Sequence, residues 1–320
     1  MFLVRVQTVL LALFLVATNT QAEPGKTLSV TIDDLPWVSL PDRAPADLSL
    51  RHQALITHLR TAGIPVIGFV NEYKLVDDGT ISPVRVQMLR DWLDAGFALG
   101  NHSRDHLDLH VVGLSAFTDN IIEGEQVLRP LLAEYHAKPT WFRHPYLHAG
   151  HSSAERAALA AFLHTHGYRV APVTIDNSEW IYAKAYHDCV RDARCKAATR
   201  RTLVRSYVPY MRAKIRYYEG QSQQFFGRQI AQVLLLHANE LNAAAIDQLL
   251  DMIRAEGYRF VSLETALQDP VYTSPDGYDG AAGPSWIHRF ALAQGFKGAD
   301  FAGEPRVPDF VLRLARVDGE

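Results

Sequence analysis

The chain has 320 residues, long enough to bury a full core, and 48% of them are hydrophobic against 21% charged, an ordinary balance for a globular protein. A formal net charge of -3 lacks the basic excess of a nucleic-acid-binding protein, so no nucleic-acid partner is expected.

Residues 1–22 read as a secretory signal rather than as part of the fold. Arg5 supplies the early positive charge, residues 6–16 are almost wholly apolar, and Thr20-Gln21-Ala22 presents small residues for cleavage after Ala22. That run is too short and wrongly flanked for a stable membrane span, and no later run is long enough. The expectation is an exported protein, periplasmic or extracellular, with no stable span after cleavage. The two cysteines, Cys189 and Cys195, can then form a local disulfide, with free thiols as the alternative.

After the signal, strand-like and helix-like patterns alternate. Residues 28–32 predict a strand, and 47–62 a helix with Leu48, Leu55, Ile56 and Leu59 at helical spacing, stopped by Gly63. Residues 66–70 form the next strand, 83–95 a helix ending at Gly96, and 97–99 a short strand. Ser115 can cap a long helix carrying Phe117, Ile121, Leu128, Leu131 and Leu132 on one side. A brief strand is expected over 140–143. Ser152-Ser153-Ala154-Glu155 has the form of a capping box for a helix running to His166. Strands follow at 168–175, 232–236 and 258–263, with a helix at 242–256 before the last. This alternation predicts an α/β fold: a single distorted (β/α) barrel of about seven parallel strands over residues 23–268. Residues 181–226 break the rhythm as a basic, aromatic, helix-prone insertion. From residue 269 to 320, Gly and Pro become frequent, as in an extension that wraps the barrel.

The residues with useful chemistry follow the predicted strands. Asp33 and Asp34 follow the first, His102 the third and Arg143 the fourth; Asp176 follows 168–175, and His237 follows 232–236. In a βα barrel those strand ends converge on one face, where active sites are built. At a strand end followed by Leu35-Pro36, the two carboxylates can separate, one binding metal and the other free as a base. His102 and His106, four apart, would share one side of a helical turn and touch one ion; His110 continues the spacing as a rival ligand. His144, His148 and His151 form a loop cluster for which a solvated loop is the plainer reading than a second metal site.

Five short pieces, in order, resemble the motifs of the polysaccharide deacetylases, the NodB-type carbohydrate esterases. They are Thr31-Ile32-Asp33-Asp34, Asn101-His102-Ser103-Arg104-Asp105-His106, Arg143-His144-Pro145-Tyr146, Asp176-Asn177-Ser178-Glu179-Trp180 and Leu234-Leu235-Leu236-His237. The resemblance implies that Asp34, His102 and His106 bind a divalent metal, commonly zinc, and that Asp33 is the general base. It implies that His237 is the general acid and that Arg143 orients Asp33, with Asp176 (or Glu179) holding Arg143. The backbone N–H of Tyr146 would help stabilise the oxyanion. Leu35 and Leu147 stand where the family usually has glycine, and Glu179 where it has Asp, which touches substrate shape more than chemistry.

The implied activity is removal of N-acetyl groups from a polysaccharide or oligosaccharide: peptidoglycan, a chitin-like chain or an exopolysaccharide. An acetamide needs a polarised carbonyl, an oxyanion donor and a protonated leaving nitrogen. The alternatives are an O-acetyl ester deacetylase on the same site and a non-catalytic glycan-binding protein. In the insertion, Trp180, Tyr182, Tyr186, Tyr207, Tyr210, Tyr217 and Tyr218 could stack on sugar rings, although packing between helices is the commoner use of such residues.

Overall fold

The structure is a computed structural model that describes residues 25–40 and 46–320. The expected signal segment therefore lies outside the described residues. Seven parallel strands make the central sheet: β1 (Thr27–Leu35), β2 (Val66–Val70), β3 (Ala98–Asn101), β4 (Trp141–Phe142), β5 (Arg169–Val170), β6 (Gln232–His237) and β7 (Arg259–Phe260). Their order is β5-β4-β3-β2-β1-β6, with β7 paired to the start of β1. Beyond β5 the chain continues to Ile175, which bridges Leu234 of β6 and brings the two ends of the sheet together. The result is the expected distorted (β/α) barrel.

β1 is covered on both faces: its β-branched Val30-Thr31-Ile32 run alternates the apolar Leu28, Val30 and Ile32 with the buried polar Ser29, Thr31 and Asp33. Leu28, Val30 and Ile32 are fully buried, each contributing roughly 1.5–3 kcal/mol of transfer free energy. Around the sheet lie α1 (Ala46–Thr61), α2 (Pro83–Asp94), α3 (Leu114–Glu123), α4 (Leu128–Glu134), α5 (Ser153–Thr165) and α8 (Glu240–Ala255). Pro83 starts α2 at a position where its missing N–H costs nothing, and Gly63 and Gly96, both at positive φ, follow the ends of α1 and α2.

Three sequence expectations change. The strands expected at 140–143, 168–175 and 258–263 shorten to two residues each, because the sheet curls away from their ends. The long helix from Ser115 is two helices, α3 and α4, and Gly113 rather than Ser115 precedes the first. The break falls beside Gly124, where a Cβ would lie 2.9 Å from the backbone of Ser103 and Arg104. The helix stops so that the loop after β3 can lie against it. At α5, Ser152 caps as expected, but the Glu155 carboxylate accepts from the N–H of His151 rather than of Ser152.

The segment read as an insertion forms α6 (Glu179–Arg191) and α7 (Ala197–Phe226), joined by a turn that the Cys189–Cys195 disulfide closes. Tyr182, Tyr207, Tyr210 and Tyr218 are buried between them and the barrel, so packing is their use. Residues 270–320 carry α9 (Trp286–Ala293) and α10 (Asp309–Ala315). Trp286 N–H donates to Val173 O, and the buried Arg289 donates to Leu147 O, so this segment packs directly on the barrel rim. Among the described residues, no helix is long and apolar enough to cross a membrane.

Candidate active site

β1 ends in a bulge between Ile32 and Leu35, and Asp34 sits in it at φ 68°. That left-handed backbone turns Asp33 and Asp34 apart after the regular strand. Asp33 pairs in register with His237 of β6, so parallel pairing puts both side chains on one side of the sheet. Among the described residues, five of the eight non-glycine residues with positive φ lie in the loops that follow the strands: Asp34, Ser103, His106, Tyr146 and Leu147. Strained backbone of this kind is held by surrounding structure and gathers at functional sites.

The stretch from His102 to His106 is a loop, not the expected helical turn. The two rings converge because Ser103 (φ 63°) and His106 (φ 53°) fold the chain back on itself. Asn101 holds that loop: its Oδ1 accepts from Ser103 N–H, and its Nδ2 donates to Ile121 O and the Tyr168 hydroxyl. Asn71 Nδ2 donates to the carbonyl of His102 at 2.6 Å. His102 Nδ1 lies 2.8 Å from Arg143 O, which assigns the proton to Nδ1 and leaves the Nε2 lone pair free.

His102 Nε2 and His106 Nε2 lie 3.9 and 3.7 Å from Asp34 Oδ1. The ligand atoms of Asp34, His102 and His106 all fall within 4.8 Å of one another. The buried Oδ1 atoms of Asp33 and Asp34 have no hydrogen-bond partner. Burial drives the His102 pKa well below its ordinary value and lowers that of His106, so both rings are neutral. For Asp34, burial acts upward, but the charges of Lys74, His237, His106 and His102 outweigh it and hold the carboxyl far below the usual range. An ionised carboxylate, two neutral imidazoles and an unsatisfied oxygen fit a divalent metal.

Asp33 is held differently. Arg143, fully buried, donates from Nη1 to Asp33 Oδ2 at 3.3 Å, from Nη2 to Thr31 Oγ1 at 2.8 Å and from Nε to Ala171 O at 2.8 Å. Burial pushes the Asp33 pKa up to about 6, against the lowering charge of Arg143. The expectation that Asp176 or Glu179 would hold Arg143 is corrected here. Arg143 spends its donors on Asp33, Thr31 and Ala171, and Asp176 accepts from its neighbour Asn177 N–H instead. Asp176 nevertheless lines the same cavity.

Glu179 has its own task. Its Oε2 accepts from His237 Nδ1 at 2.7 Å, and its Oε1 accepts from Asn239 and Asn242 at 2.6 and 2.7 Å. Burial alone would lower the His237 pKa, but the hydrogen bond and charge of Glu179 overcome it and carry the ring up to about 9. His237 therefore has its protonated form favoured, with Nδ1 committed to Glu179. Glu179 opens α6, which explains why a carboxylate at this position can reach β6 at all.

Lys74 went unnoticed in the sequence. It is buried, and its Nζ lies 3.4 Å from Asp34 Oδ2 and 3.3 Å from Asp34 O. Its only signal was its place four residues past a predicted strand. Tyr146 is half-exposed, with its ring 4.6 Å from that of His106. His110 does not join the Asp34 group. It stacks between His148 and His151 at 4.1 and 3.9 Å, and His148 Nδ1 bonds Asp108 at 2.7 Å. His110 ring nitrogens already meet Ala281 O and Gly150 N–H. His144 is buried separately, against Phe142 and Trp286.

A model of the polysaccharide deacetylase family matches residues 20–169, the stretch that brings Asp33, Asp34, His102, His106, Arg143 and Tyr146 together. That stretch is similar to the polysaccharide deacetylases. Solved structures similar to this chain include a family 4 carbohydrate esterase from Streptomyces lividans in complex with acetate, at 18% identity over 77% of this chain and 97% of that one, with TM-score 0.44. The peptidoglycan deacetylase PdaC from Bacillus subtilis is 18% identical over 76% of this chain and 92% of its own, with TM-score 0.44. A pseudoenzyme of the same esterase family from Bacillus anthracis is 15% identical over 76% of this chain and 66% of its own, with TM-score 0.47. No curated protein matches.

Proposed function

We propose that this chain is a polysaccharide deacetylase: an exported, metal-dependent hydrolase that removes N-acetyl groups from a polysaccharide or oligosaccharide. The observation that carries the reading is the register pairing of Asp33 with His237 beside the Asp34–His102–His106 group. It supports a base and an acid placed together at one reacting centre. Asp34, His102 and His106 would hold the metal, with zinc the choice that suits two imidazoles and a carboxylate. When bound, such an ion polarises a carbonyl and lowers the pKa of water.

The protein's own groups do the rest. Asp33 takes the proton of the attacking water at its carboxylate, and Arg143 Nη1 orients that carboxylate. His237, protonated and held at Nδ1 by Glu179, donates from Nε2 to the leaving nitrogen. The Tyr146 N–H is the proposed donor to the oxyanion. Asp176 is proposed as a wall of the substrate cavity rather than a partner of Arg143. The division into a signal at 1–22, a barrel at 23–268 with its insertion at 181–226, and an extension at 269–320 completes the proposal.

The test is metal content together with acetate release from N-acetylglucosamine oligomers, peptidoglycan and an O-acetylated xylan. The proposal expects stoichiometric metal in the wild type, loss of metal in Asp34→Ala, and N-acetyl turnover that Asp33→Asn abolishes. Wild-type protein without metal, with turnover indifferent to Asp33→Asn, refutes the site. Acetate from the ester alone supports the O-acetyl alternative, and no acetate from any glycan supports the binding-only one.

A further inference from the structure

Tyr146 (φ 55°) and Leu147 (φ 57°) are left-handed one after the other, in the turn that follows Arg143-His144-Pro145. Glycine takes that conformation freely, whereas a residue with a Cβ meets a steric penalty. Neither position is glycine here, and Leu147 is also buried. Two such residues in succession persist only where the surrounding structure over-determines them. That structure comes from the C-terminal segment, outside the family match. Arg289, fully buried on α9, donates from Nη2 to Leu147 O at 2.7 Å, from Nε to Pro284 O at 3.0 Å and from Nη1 to Asp276 Oδ2 at 3.0 Å. Its guanidinium also lies over Trp286, 4.7 Å from the ring centroid. A buried hydrogen bond from a charged donor is of the strong kind. Gly283, from the same segment, lies so close to the turn that a Cβ there would overlap Tyr146 O. The start of α9 is fixed on the barrel, since Trp286 N–H donates to Val173 O and Ser285 Oγ to Thr174 O, both at 2.8 Å.

From this we infer that Arg289 is a positioning residue for the oxyanion: by holding the Leu147 carbonyl, it fixes the left-handed turn that aims the Tyr146 N–H. The inference rests on the deacetylase reading above, in which that N–H meets the oxyanion. A donor of this kind is effective because its direction is set before the charge develops. Arg289 fixes the peptide that begins at Leu147 O, and Gly283 leaves just enough room for the one that begins at Tyr146 O. Without that hold, Tyr146 would relax toward negative φ and rotate the peptide carrying its N–H relative to the Asp34–His102–His106 group. The glycine usual at position 147 in the family would need no such hold, so the leucine and Arg289 belong together in this chain.

The experiment uses the metal-loaded full chain with an N-acetylglucosamine tetramer and its N-trifluoroacetyl counterpart. Arg289→Met keeps the length of the side chain and none of its donors, and Gly283→Ala pushes a methyl group at Tyr146 O. Each should lower kcat on the acetyl substrate at least about tenfold, with KM and metal content held within about twofold. Arg289→Lys, which keeps a charged donor, should recover part of the loss. A trifluoroacetyl group stabilises the tetrahedral oxyanion by induction and leans less on the donor, so the loss on that substrate should be several-fold smaller. Arg156→Gln is the structural comparison, because Arg156 ties the same segment to α5 through Tyr278 O and Asp279. It should lower the melting temperature and keep kcat within about twofold. Gly283→Ala carries the measurement if Arg289→Met does not fold. Unchanged kcat in the folded variants, equal losses on the two substrates, or an equal loss in Arg156→Gln overturns the positioning role and leaves the deacetylase reading standing. No acetate or trifluoroacetate released by the wild type overturns both.

Discussion

Asp33 and Asp34 are adjacent, chemically identical and opposed in behaviour. Burial dominates at Asp33 and raises its pKa to about 6, while the cation and imidazoles around Asp34 hold that carboxyl ionised. Replacing Asp33 with Asn should therefore cost at least about 100-fold in kcat, the usual yield of a positioned base, with metal content retained in the same preparation. As the proposed acid, His237 must be protonated to donate, so activity should fall as pH rises through about 9. Glu179→Gln removes the first of the groups that raise that pKa and leaves burial, which lowers it. The alkaline limb of kcat/KM against pH should shift to lower pH, a change that a merely structural role would not produce. Asp176 offers a stability test. Its pKa is raised by burial to about 6, so its stabilising effect is full below the unfolded carboxylate pKa and is lost as pH rises through about 6. Asp176→Asn should then raise the melting temperature at pH 8, by at most about 3 kcal/mol in stability, and do little at pH 4.

At the scale of elements, the position of each chemical group after a strand was readable because a parallel sheet flanked by helices sends all its strand ends to one face. The loop after β3 was not. A His-x3-His spacing suits a helical turn as well as it suits a folded loop, and the choice was made by Asn101, Asn71 and the close approach of Gly124. Those contacts join residues far apart in the chain, so local pattern carries no trace of them. Gly124→Ala should push a methyl group against the backbone of Ser103 and Arg104. We expect a loss of about 1–3 kcal/mol, seen in thermal unfolding, together with weaker metal retention, since the displaced loop bears both histidines. The same blindness applies to Glu179, which the motif resemblance offers as a holder of Arg143 and which in space is the hydrogen-bond partner of His237.

At the scale of the whole molecule, the centre collects buried groups that no protein partner satisfies, including the Oδ1 atoms of Asp33 and Asp34. An ion bound there stabilises the native chain over the unfolded one by mass action, about 4 kcal/mol when free metal is a thousandfold above its Kd. A chelator should lower the melting temperature measurably, and zinc should restore it; an unchanged melting curve would remove the ion from the fold. The insertion and the C-terminal segment were legible only as departures from the barrel rhythm. The C-terminal segment is tied back by Lys214 meeting Glu304 and Ser178 meeting Glu320, pairs that are 90 and 142 residues apart.

The sequence by itself determined the α/β alternation, the strand ends that carry the chemistry and the ordered motifs of a polysaccharide deacetylase. These depend on residue type and short spacing, which a linear chain states directly. Only the tertiary structure decided which acid serves which base: Arg143 with Asp33, Glu179 with His237, Lys74 beside Asp34, and Asp176 near Arg143 through its charge but hydrogen-bonded to Asn177 N–H. Ion pairing and burial depend on distances across the fold, and those exist only once the sheet has curled and its ends have met at Ile175 and Leu234.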